Sequence, residues 1–244
     1  MNNNGGGLHG PPPCPEHVIM QHEIAHSAPV AGTHPIGVSI PPALVKRNRL
    51  TSAFRIILAI PHLVLVGGPS ALALSLLFSP DSDRSMDWGG GGGVFGVVAM
   101  VCATIAWFAI VFTGRMPREL WKLNAYYLRW RIRAAAYVAL LRDEYPPFGD
   151  GAYPVRITLP DFPVRRDRVS VGFRMIMVIP HLIMVWVLGC AWLVSSVCAW
   201  FTVLITGTMP RALHDFGTGV LRWTTNVEGY LLLLHDEYPP FSLH

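Results

Sequence analysis

Charge is scarce in this sequence of 244 residues, in which Asp, Glu, Lys and Arg together make up 14%, against about 25% in an average soluble domain. Apolar residues make up 52%, and the mean hydropathy is +0.40. Three long stretches contain none of the four charged residue types: 56–79, 94–114 and 175–210. Because about 20 apolar residues suffice for a helix to cross a bilayer, the sequence predicts an integral membrane protein rather than a soluble domain.

Cysteine is scarce as well, and three of the four cysteines, Cys102, Cys190 and Cys198, lie inside the apolar stretches. A disulfide framework is therefore not expected. The first seven residues have neither the basic region nor the apolar core of a cleavable signal, so we expect the internal apolar segments to direct insertion. We find no nucleophile triad and no nucleic-acid motif. The net charge of +4 is accounted for by basic residues beside the apolar stretches, and no nucleic-acid partner is expected.

An internal repeat is the most informative feature that the sequence does have. Four motifs occur twice: Ile-Pro-His at 60–62 and 179–181, Met-Pro-Arg at 116–118 and 209–211, Leu-Arg-Trp at 128–130 and 221–223, and Asp-Glu-Tyr-Pro-Pro-Phe at 143–148 and 236–241. The offset between the copies is 119 residues at His62 and 93 residues at Thr113, so the first copy carries 26 extra residues. This insertion, at about 68–93, is acidic and glycine-rich and is predicted to form a solvated loop.

These motifs divide the chain into a Gly-, Pro- and His-rich tail at 1–33, a first repeat at 34–148 and a second repeat at 153–241. The composition of the tail is typical of a disordered segment. Each repeat has a short extended piece, a basic stretch, an apolar region and a last helix that Met-Pro-Arg opens. We therefore predict an all-α integral membrane protein made of two tandem repeats, with short extended segments at the repeat ends.

The apolar region of each repeat is flanked by basic residues on both sides, which the positive-inside rule places in the cytoplasm. We therefore predict a membrane hairpin in each repeat, with the tail and the basic helices on the cytoplasmic side of a bacterial inner membrane and the acidic insertion outside. In the first repeat the two arms are 56–78 and 94–113; in the second the hairpin is shallow, with its turn near Gly189. The alternative is one long tilted or kinked helix at 180–206, with 212–234 as the return span.

The last helix of each repeat carries a polar stripe. Arg118, Lys122, Arg129 and Arg133 fall on one face at 100° per residue, which predicts an amphipathic helix in the membrane interface. Arg131 lies off this stripe. The matching positions of the second repeat are Arg211, Asp215, Arg222 and Asn226. The arginines of the two Leu-Arg-Trp motifs, followed by Trp130 and Trp223, predict contact with lipid phosphates, including those of anionic lipids, with tryptophan as an interfacial anchor.

Three motifs suggest chemistry, and each has a simpler explanation. His22-Glu23-Ile24-Ala25-His26 matches the zinc-protease pattern HExxH. The motif lies in the tail with no surrounding domain, and incidental metal binding with Cys14 and His17 explains it better than catalysis does. His62 and His181 are either metal or haem ligands or partners for carbonyls that the preceding prolines free. The Asp-Glu pairs at 143 and 236 are better explained as solvated helix ends than as an acid–base pair. No cofactor is expected.

The repeated unit resembles a bacterial membrane family, the domain of unknown function 4389, over residues 34–241 in two copies. The signature positions that carry the resemblance are Pro61, His62, Tyr145, Phe148, Pro180, His181, Tyr238 and Phe241. The resemblance implies a membrane location and a repeated architecture, and it brings no activity.

From these observations we predict a non-catalytic accessory or scaffold protein whose partners are membrane lipids and a membrane protein or a second copy of itself. The alternatives are a zinc metalloprotease that uses the tail motif and a small-solute transporter or channel component. The near absence of ionisable groups in the apolar stretches argues against the latter.

Overall fold

The computed structural model describes residues 35–42, 47–68, 93–163 and 165–243. Within these ranges the chain is mostly helical and forms two short strands and seven helices. In chain order they are β1 (Gly37–Ser39), α1 (Arg49–Ala53), α2 (Arg55–Val66), α3 (Gly93–Thr113), α4 (Arg118–Val138), β2 (Arg156–Thr158), α5 (Arg168–Met177), α6 (Ile179–Thr206) and α7 (Arg211–Leu231). We refer to α1, α2, α3, α5 and α6 as the apolar helices and to α4 and α7 as the central helices.

The apolar region of the second repeat is one continuous helix after Val178. The shallow hairpin predicted with a turn near Gly189 is therefore wrong, and the alternative of a single long helix describes this segment. The residues around Gly189 are apolar and contain no turn-forming polar group, so the helical ladder, which satisfies every backbone group internally, continues through the glycine. Its proline, Pro180, stands in the first turn of α6, where its missing N–H needs no partner.

The structure describes the apolar region of the first repeat only in part. α2 ends at Val66, and Gly67 follows with a left-handed φ of 74°, so the described helix of the first arm has 12 residues, while the prediction for the arm covers 56–78. At 1.5 Å per residue the length of α2 is roughly 18 Å, which is too short to cross about 30 Å of hydrocarbon. α3 begins beside the end of α2, since a Cβ on Gly93 would lie 2.7 Å from the backbone of Val64. The arm residues beyond 68 lie outside the described part of the chain.

Two of the described helices, α3 and α6, are long and apolar enough to cross a membrane. In the most apolar 18 residues of each helix, only 28% of the residues of α3 and 17% of those of α6 are buried. The large exposed apolar side chains of the described helices all belong to the apolar helices, and the central helices contribute none. The molecule therefore presents its most apolar helices to its surroundings.

The central helices form the core. α4 is buried along its second half, including Leu128, Ile132 and Tyr137, and α7 is buried from Gly217 to Leu221 and at Tyr230. The prediction that these helices lie on the membrane surface is wrong for most of their length. A periodic polar stripe shows which side chains share a face, but it does not show whether water, lipid or protein covers that face. Here the polar side chains of α7 largely satisfy groups inside the protein.

The two extended pieces pair with each other. β1 and β2 are antiparallel, with Val38 opposite Ile157 at the centre. The predicted alternation is present in β1, where Ile36, Val38 and Ile40 are buried and the residues between them are exposed. Asn226 of α7 fixes the start of β1, because its side-chain oxygen accepts from the Ile36 N–H (2.9 Å) and its Nδ2 donates to the Ile36 carbonyl (3.1 Å). The strand ribbon is therefore attached to the central helices.

Candidate functional site

The basic stretch before the first apolar region supplies two buried arginines. Arg55 donates to the carbonyls of Tyr137 (3.0 Å) and Arg142 (2.9 Å) and also to the carboxylate of Asp143. Arg47 donates to the carbonyl of Leu140 and lies 3.3 Å from Asp143. Since both guanidiniums end at the C-terminal end of α4, their charge also complements the negative end of that helix. We call this group the first arginine clasp.

The second repeat builds the same cluster, the second arginine clasp. Arg174 donates to the Tyr230 carbonyl and to Asp236, both at 2.6 Å. Arg166 donates to Asp236 (2.5 Å) and to the carbonyl of Leu233 (2.6 Å). The arginine side chains are at most 1% exposed, while Asp236 is 37% exposed. Each clasp therefore takes two cations out of water, pairs them with one partly exposed anion, and fastens the start of an apolar helix to the end of a central helix.

The two leucines that accept from the clasps have unusual backbone conformations. Leu140 and Leu233 have φ values of 59° and 60°, which cost a non-glycine residue about 1–3 kcal/mol. The left-handed turn directs their carbonyls to Arg47 and Arg166 respectively. Burial lowers the pKa of both arginines, and Asp143 and Asp236 oppose this shift by favouring the charged form. The strain and the ion pairs thus belong to one local arrangement that recurs in both halves.

The signature motifs of the first repeat meet around His62. The ring of His62 stacks on Phe148 at 4.5 Å between centroids and lies 5.0 Å from the ring of Tyr145. Trp130 donates from Nε1 to His62 Nδ1 at 3.1 Å, so the neutral ring carries its proton on Nε2. We call this cluster the first aromatic box. It joins three sequence motifs that are widely separated along the chain.

The second aromatic box surrounds His181. The His181 ring stacks on Phe241 at 4.2 Å, meets Tyr238 edge-on at 4.6 Å and lies parallel to Trp223 at 5.6 Å. Its Nε2 is 2.9 Å from the carbonyl oxygen of Pro239. His181 therefore contacts a carbonyl, as one of the two predicted roles requires, although this carbonyl belongs to the Tyr-Pro-Pro-Phe segment rather than to the turn before Pro180.

The aromatic boxes contain two groups of rings that differ in exposure, and the two tryptophans that were predicted to contact lipid belong to the buried group. Trp130 and Trp223 are buried, and Trp223 donates to the Pro240 carbonyl at 2.8 Å, so neither ring is placed to act as an interfacial anchor. Phe148 and Phe241 are each 58% exposed, and Tyr145 and Tyr238 are exposed by 43% and 40%. The exposed aromatic rings of this region are therefore those of the Tyr-Pro-Pro-Phe segments.

Three of the four stripe cations of α4 line one cavity. It has a volume of about 350 Å³ and lies between α4 and the segment after β2. Its lining consists of Arg118, Trp121, Lys122, Arg129, Leu159, Pro160, Asp161 and Phe162. Lys122 also pairs with Glu119 at 2.9 Å, and Arg129 lies 4.0 Å from Asp150. We call this feature the cationic pocket. Its lining contains three cations and one carboxylate, that of Asp161.

The remaining predicted cations have different surroundings. Arg133 donates to the carbonyls of Gly149 (2.8 Å) and Gly151 (3.0 Å) and so fixes the chain after the first repeat. Arg222 donates to the Val38 carbonyl at 3.4 Å, while Arg211 is exposed at the start of α7. The predicted stripe is therefore divided between a surface pocket and internal contacts.

Arg131, which the stripe did not include, makes the central ion pair. Its Nε donates to both carboxylate oxygens of Glu228, at 2.7 and 2.9 Å, and its NH1 donates to the Val66 carbonyl at the end of α2 (2.8 Å). Burial raises the pKa of neighbouring Tyr127 to about 12. The sequence signal for this pair was the position of Arg131 off the polar face, which in a buried helix directs it toward a partner helix.

The described residues do not assemble a metal site: within these ranges no three His, Cys, Asp or Glu side chains lie close enough to hold an ion. The HExxH motif with His22 and His26 lies outside the described residues. The neighbouring carboxylates Asp143 and Glu144 diverge, because Asp143 belongs to the first clasp while Glu144 pairs with Arg142 (2.5 Å). Burial opposes ionisation of Glu144, but its hydrogen bonds, led by those from Arg142, hold its pKa below the usual range. This arrangement binds the chain end and leaves no acid–base dyad.

The comparisons with known proteins agree with the repeat seen in the sequence. The model of the family described as Domain of unknown function (DUF4389) matches two segments, residues 92–149 and 168–242. No curated protein and no solved structure matches the chain. The two matched segments contain both aromatic boxes except for His62 of the first, and together they cover more than half of the chain. The chain is therefore a member of the DUF4389 family and matches its model twice in tandem.

Proposed function

We propose that this chain is a non-catalytic accessory or scaffold protein of the bacterial inner membrane, embedded in lipid through its apolar helices. The observation that carries this proposal is the direction in which the side chains face. On α2, Arg55 and His62 are buried while Ile56 and Ile60 are exposed. On α5, Arg174 is buried beside the exposed Phe173.

This polarity is the reverse of that in a soluble protein, where large contiguous apolar patches are rare. Burying a guanidinium costs free energy that only good partners offset. An isoleucine that is exposed to water loses the stabilising free energy that its burial would contribute. The observed orientation is favourable when hydrocarbon surrounds the apolar helices. A charged group is then stable inside the protein, and an apolar group is stable on its surface.

A non-catalytic role is supported by the engagement of the polar groups. The Asp and Arg side chains of both clasps are ion-paired and bonded to helix-end carbonyls. The rings of the aromatic boxes contact one another. These are the groups that a catalytic site would need to present to a substrate, and here they hold the apolar helices against the central helices.

We further propose that the two repeats fold as equivalent halves about an approximate twofold axis. The support is a set of reciprocal contacts, as expected when one surface pairs with its own equivalent. The Arg166 N–H donates to the Gly114 carbonyl (3.1 Å), and the Arg47 N–H donates to the Gly207 carbonyl (2.9 Å). The pair Val38–Ile157, whose members are equivalent in the repeat, lies at the centre of the strand ribbon.

The same reciprocity extends to side chains. Trp107 donates to the Val171 carbonyl at 2.9 Å, and its equivalent Trp200 donates to the carbonyl of Ser52, the equivalent of Val171, at 3.0 Å. Two small apolar clusters also correspond position by position: Leu233 with Ala106, Ile110 and Met116, and Leu140 with Ala199, Val203 and Met209. Each half thus completes the packing of the other.

The lipid partner that we propose is anionic and is contacted through the cationic pocket. Each cation near an anionic leaflet contributes about 1 kcal/mol, and the pocket presents Arg118, Lys122 and Arg129. In the second half the matching side chains are Arg211, Asp215 and Arg222, so an acidic residue replaces the middle cation. The lipid contact is therefore expected to be stronger in the first half.

In-cell photo-crosslinking tests the scaffold role at two matched positions. A photoreactive phenylalanine analogue at Phe148 or Phe241, which are equally exposed, is expected to yield a defined protein adduct, either a membrane partner or a second copy of this chain. The same analogue at the buried Tyr137 serves as the control. If no protein adduct forms at either exposed site, and the purified chain alone transports a solute into liposomes, the scaffold role is wrong and the transporter alternative replaces it.

A further inference from the structure

The course of α6 determines how the apolar helices can lie in the membrane. α6 packs antiparallel along α7. His181, near the start of α6, stacks on Trp223; Trp192 lies against Gly217; and Val203, near the end, lies in one cluster with Met209. The axes of α6 and α7 are therefore roughly aligned, although the two helices run in opposite directions.

The central helices are antiparallel to each other. Near the start of α4, the amide of Asn124 donates to the carbonyl of Leu232, just beyond the end of α7 (3.0 Å). At the other end, Leu140 lies in one cluster with Leu213, near the start of α7. Consequently the axes of α4, α6 and α7 are roughly aligned, whichever way each helix runs. Any segment that runs the length of α4 therefore also runs along the direction of the α6 axis.

The segment 143–166 is such a segment. It begins at Asp143, beyond the end of α4, and ends at Arg166, whose N–H donates to the carbonyl of Gly114, four residues before α4 starts. It therefore returns along the whole of α4, which at 1.5 Å per residue is roughly 30 Å, the thickness of the hydrocarbon core. Apart from the three residues of β2, this segment has no regular structure in its described residues.

Apart from the exposed rings of Tyr145 and Phe148 near its start, the surface of this segment is polar. Asp150, Arg156, Thr158 and Asp161 are exposed. Asn226 and Arg222 of α7 bond the outer edge of β1, whereas in the described part of the chain no third strand pairs with the outer edge of β2. Lipid-exposed irregular backbone and open sheet edges do not occur in hydrocarbon, because every unsatisfied backbone group costs several kcal/mol there. If α6 crossed the bilayer, the segment 143–166 would have to cross beside it.

We propose that the protein is monotopic: α3 and α6 lie along the membrane within its cytoplasmic leaflet, and the strand ribbon with the segment 143–166 stays in water on the cytoplasmic side. This inference rests on the proposed membrane location and names the partner surface as a single leaflet. It replaces the multi-pass topology that the sequence predicts. Length and hydropathy favour crossing because they do not register what runs beside the helix.

The distribution of charge supports the same placement independently. Exposed arginines stand at both ends of both apolar regions: Arg49, Arg115, Arg168 and Arg211. A single crossing by α6 would place Arg168 and Arg211 on opposite sides, against the positive-inside rule, whereas a monotopic placement keeps all four arginines at the cytoplasmic head groups.

Matched cysteine labelling tests the proposal in the full chain. On a background with all four native cysteines replaced by serine or alanine, we would introduce Thr113→Cys or Thr206→Cys, two exposed threonines that occupy equivalent positions at the ends of α3 and α6. A third variant, Asp150→Cys, reports on the segment 143–166. A membrane-impermeant maleimide is expected to label all three from inside-out vesicles and none from intact spheroplasts.

Labelling of Thr113→Cys and Thr206→Cys from opposite sides would overturn the monotopic placement while leaving the membrane location intact. If the chain is instead recovered in the soluble fraction, the proposed membrane function itself fails. A spin label at Val187→Cys, Val194→Cys or Phe201→Cys on the outer face of α6 provides the second measurement. Similar depths at the three sites support the proposal, and a graded depth profile contradicts it.

Discussion

At the scale of single residues, the structure shows what the basic flanks of the apolar regions do. Arg47, Arg55, Arg166 and Arg174 are conspicuous in the sequence as cations beside the apolar regions. The structure places them inside, on the carbonyls that end α4 and α7. Sequence reasoning found the residues but not this use, because the carbonyl acceptors carry no side-chain signal and lie far away along the chain.

The carboxylate of a clasp is expected to be essential for stability. In the variant Asp236→Asn, Arg166 and Arg174 remain buried without their counter-charge. Breaking a buried ion pair costs about 3–5 kcal/mol, and because Asp236 is 37% exposed, screening by solvent reduces the expected loss to about 2–3 kcal/mol. The measurement is thermal or denaturant unfolding in detergent. The matched control is Glu237→Gln, one position away and outside the clasp, which should leave stability within about 0.5 kcal/mol of the wild type. Equal losses in the two variants would contradict the role of the clasp.

Stability is expected to depend on pH through His235. Burial lowers the pKa of His235 to about 4, and its Nε2 lies 3.1 Å from the Asn226 carbonyl. The unfolded chain, with a histidine pKa of about 6.5, binds this proton first, so stability is full above a pH of about 6.5 and falls as the pH drops from there to about 4. In His235→Gln, whose amide can donate to the same carbonyl, this part of the pH dependence should disappear. If the stabilities of the wild type and the variant fell by the same amount between about pH 7 and pH 4, the prediction would be contradicted.

At the scale of the elements, the ion pair of Arg131 with Glu228 is expected to stabilise the contact between the central helices. Arg131→Met leaves Glu228 without its bidentate partner, and the single change should destabilise the chain by a few kcal/mol. The double change Arg131→Met with Glu228→Met should recover part of the loss, since a buried pair can often be replaced by apolar side chains of similar volume. A double-mutant cycle by chemical unfolding measures the coupling. A double variant that loses the sum of the two single losses would show that the pair is not coupled.

The cationic pocket gives α4 and α7 different expected lipid preferences. Changing Arg118, Lys122 and Arg129 to glutamine should weaken binding of the full chain to anionic lipid at least about tenfold, with little effect on zwitterionic lipid, because about 1 kcal/mol per cation is lost. The matched control, Arg211→Gln with Arg222→Gln, changes equivalent positions of α7. Native mass spectrometry with phosphatidylglycerol and phosphatidylcholine makes the comparison. Equal losses in both variants would assign the effect to net charge rather than to the pocket.

The sequence predicted which segments become helices and strands more successfully than it predicted their surroundings. The alternation at Ile36, Val38 and Ile40 and the helix start after Pro117 are local signals, and both strands and the last helix of each repeat lie where they were expected. The hairpin at Gly189 failed because a glycine in an apolar run does not by itself stop a helical ladder. The surface position of α4 failed because lipid, water and a partner helix accept the same periodic pattern.

At the scale of the whole molecule, the central helices form an apolar core that also contains ion pairs and hydrogen bonds, and the apolar helices face outward. The tandem match to one family was predictable, because the motifs are repeated in the sequence. The reciprocal contacts were not, since they join the long apolar helix of each half to the start of the other half, as Trp107 with Val171 and Trp200 with Ser52 show.

Retention in the membrane after alkaline carbonate treatment tests the central claim most directly. The wild-type chain is expected to stay in the pellet, because the proposal places the outer faces of α3 and α6 in hydrocarbon. Val101 and Val194, equivalent and exposed on those faces, provide the matched perturbation: Val101→Asp with Val194→Asp should shift the chain toward the supernatant, since an aspartate costs up to about 2.5–3.5 kcal/mol in hydrocarbon. Release of the wild-type chain into the supernatant, or full retention of the double aspartate variant, would contradict the account.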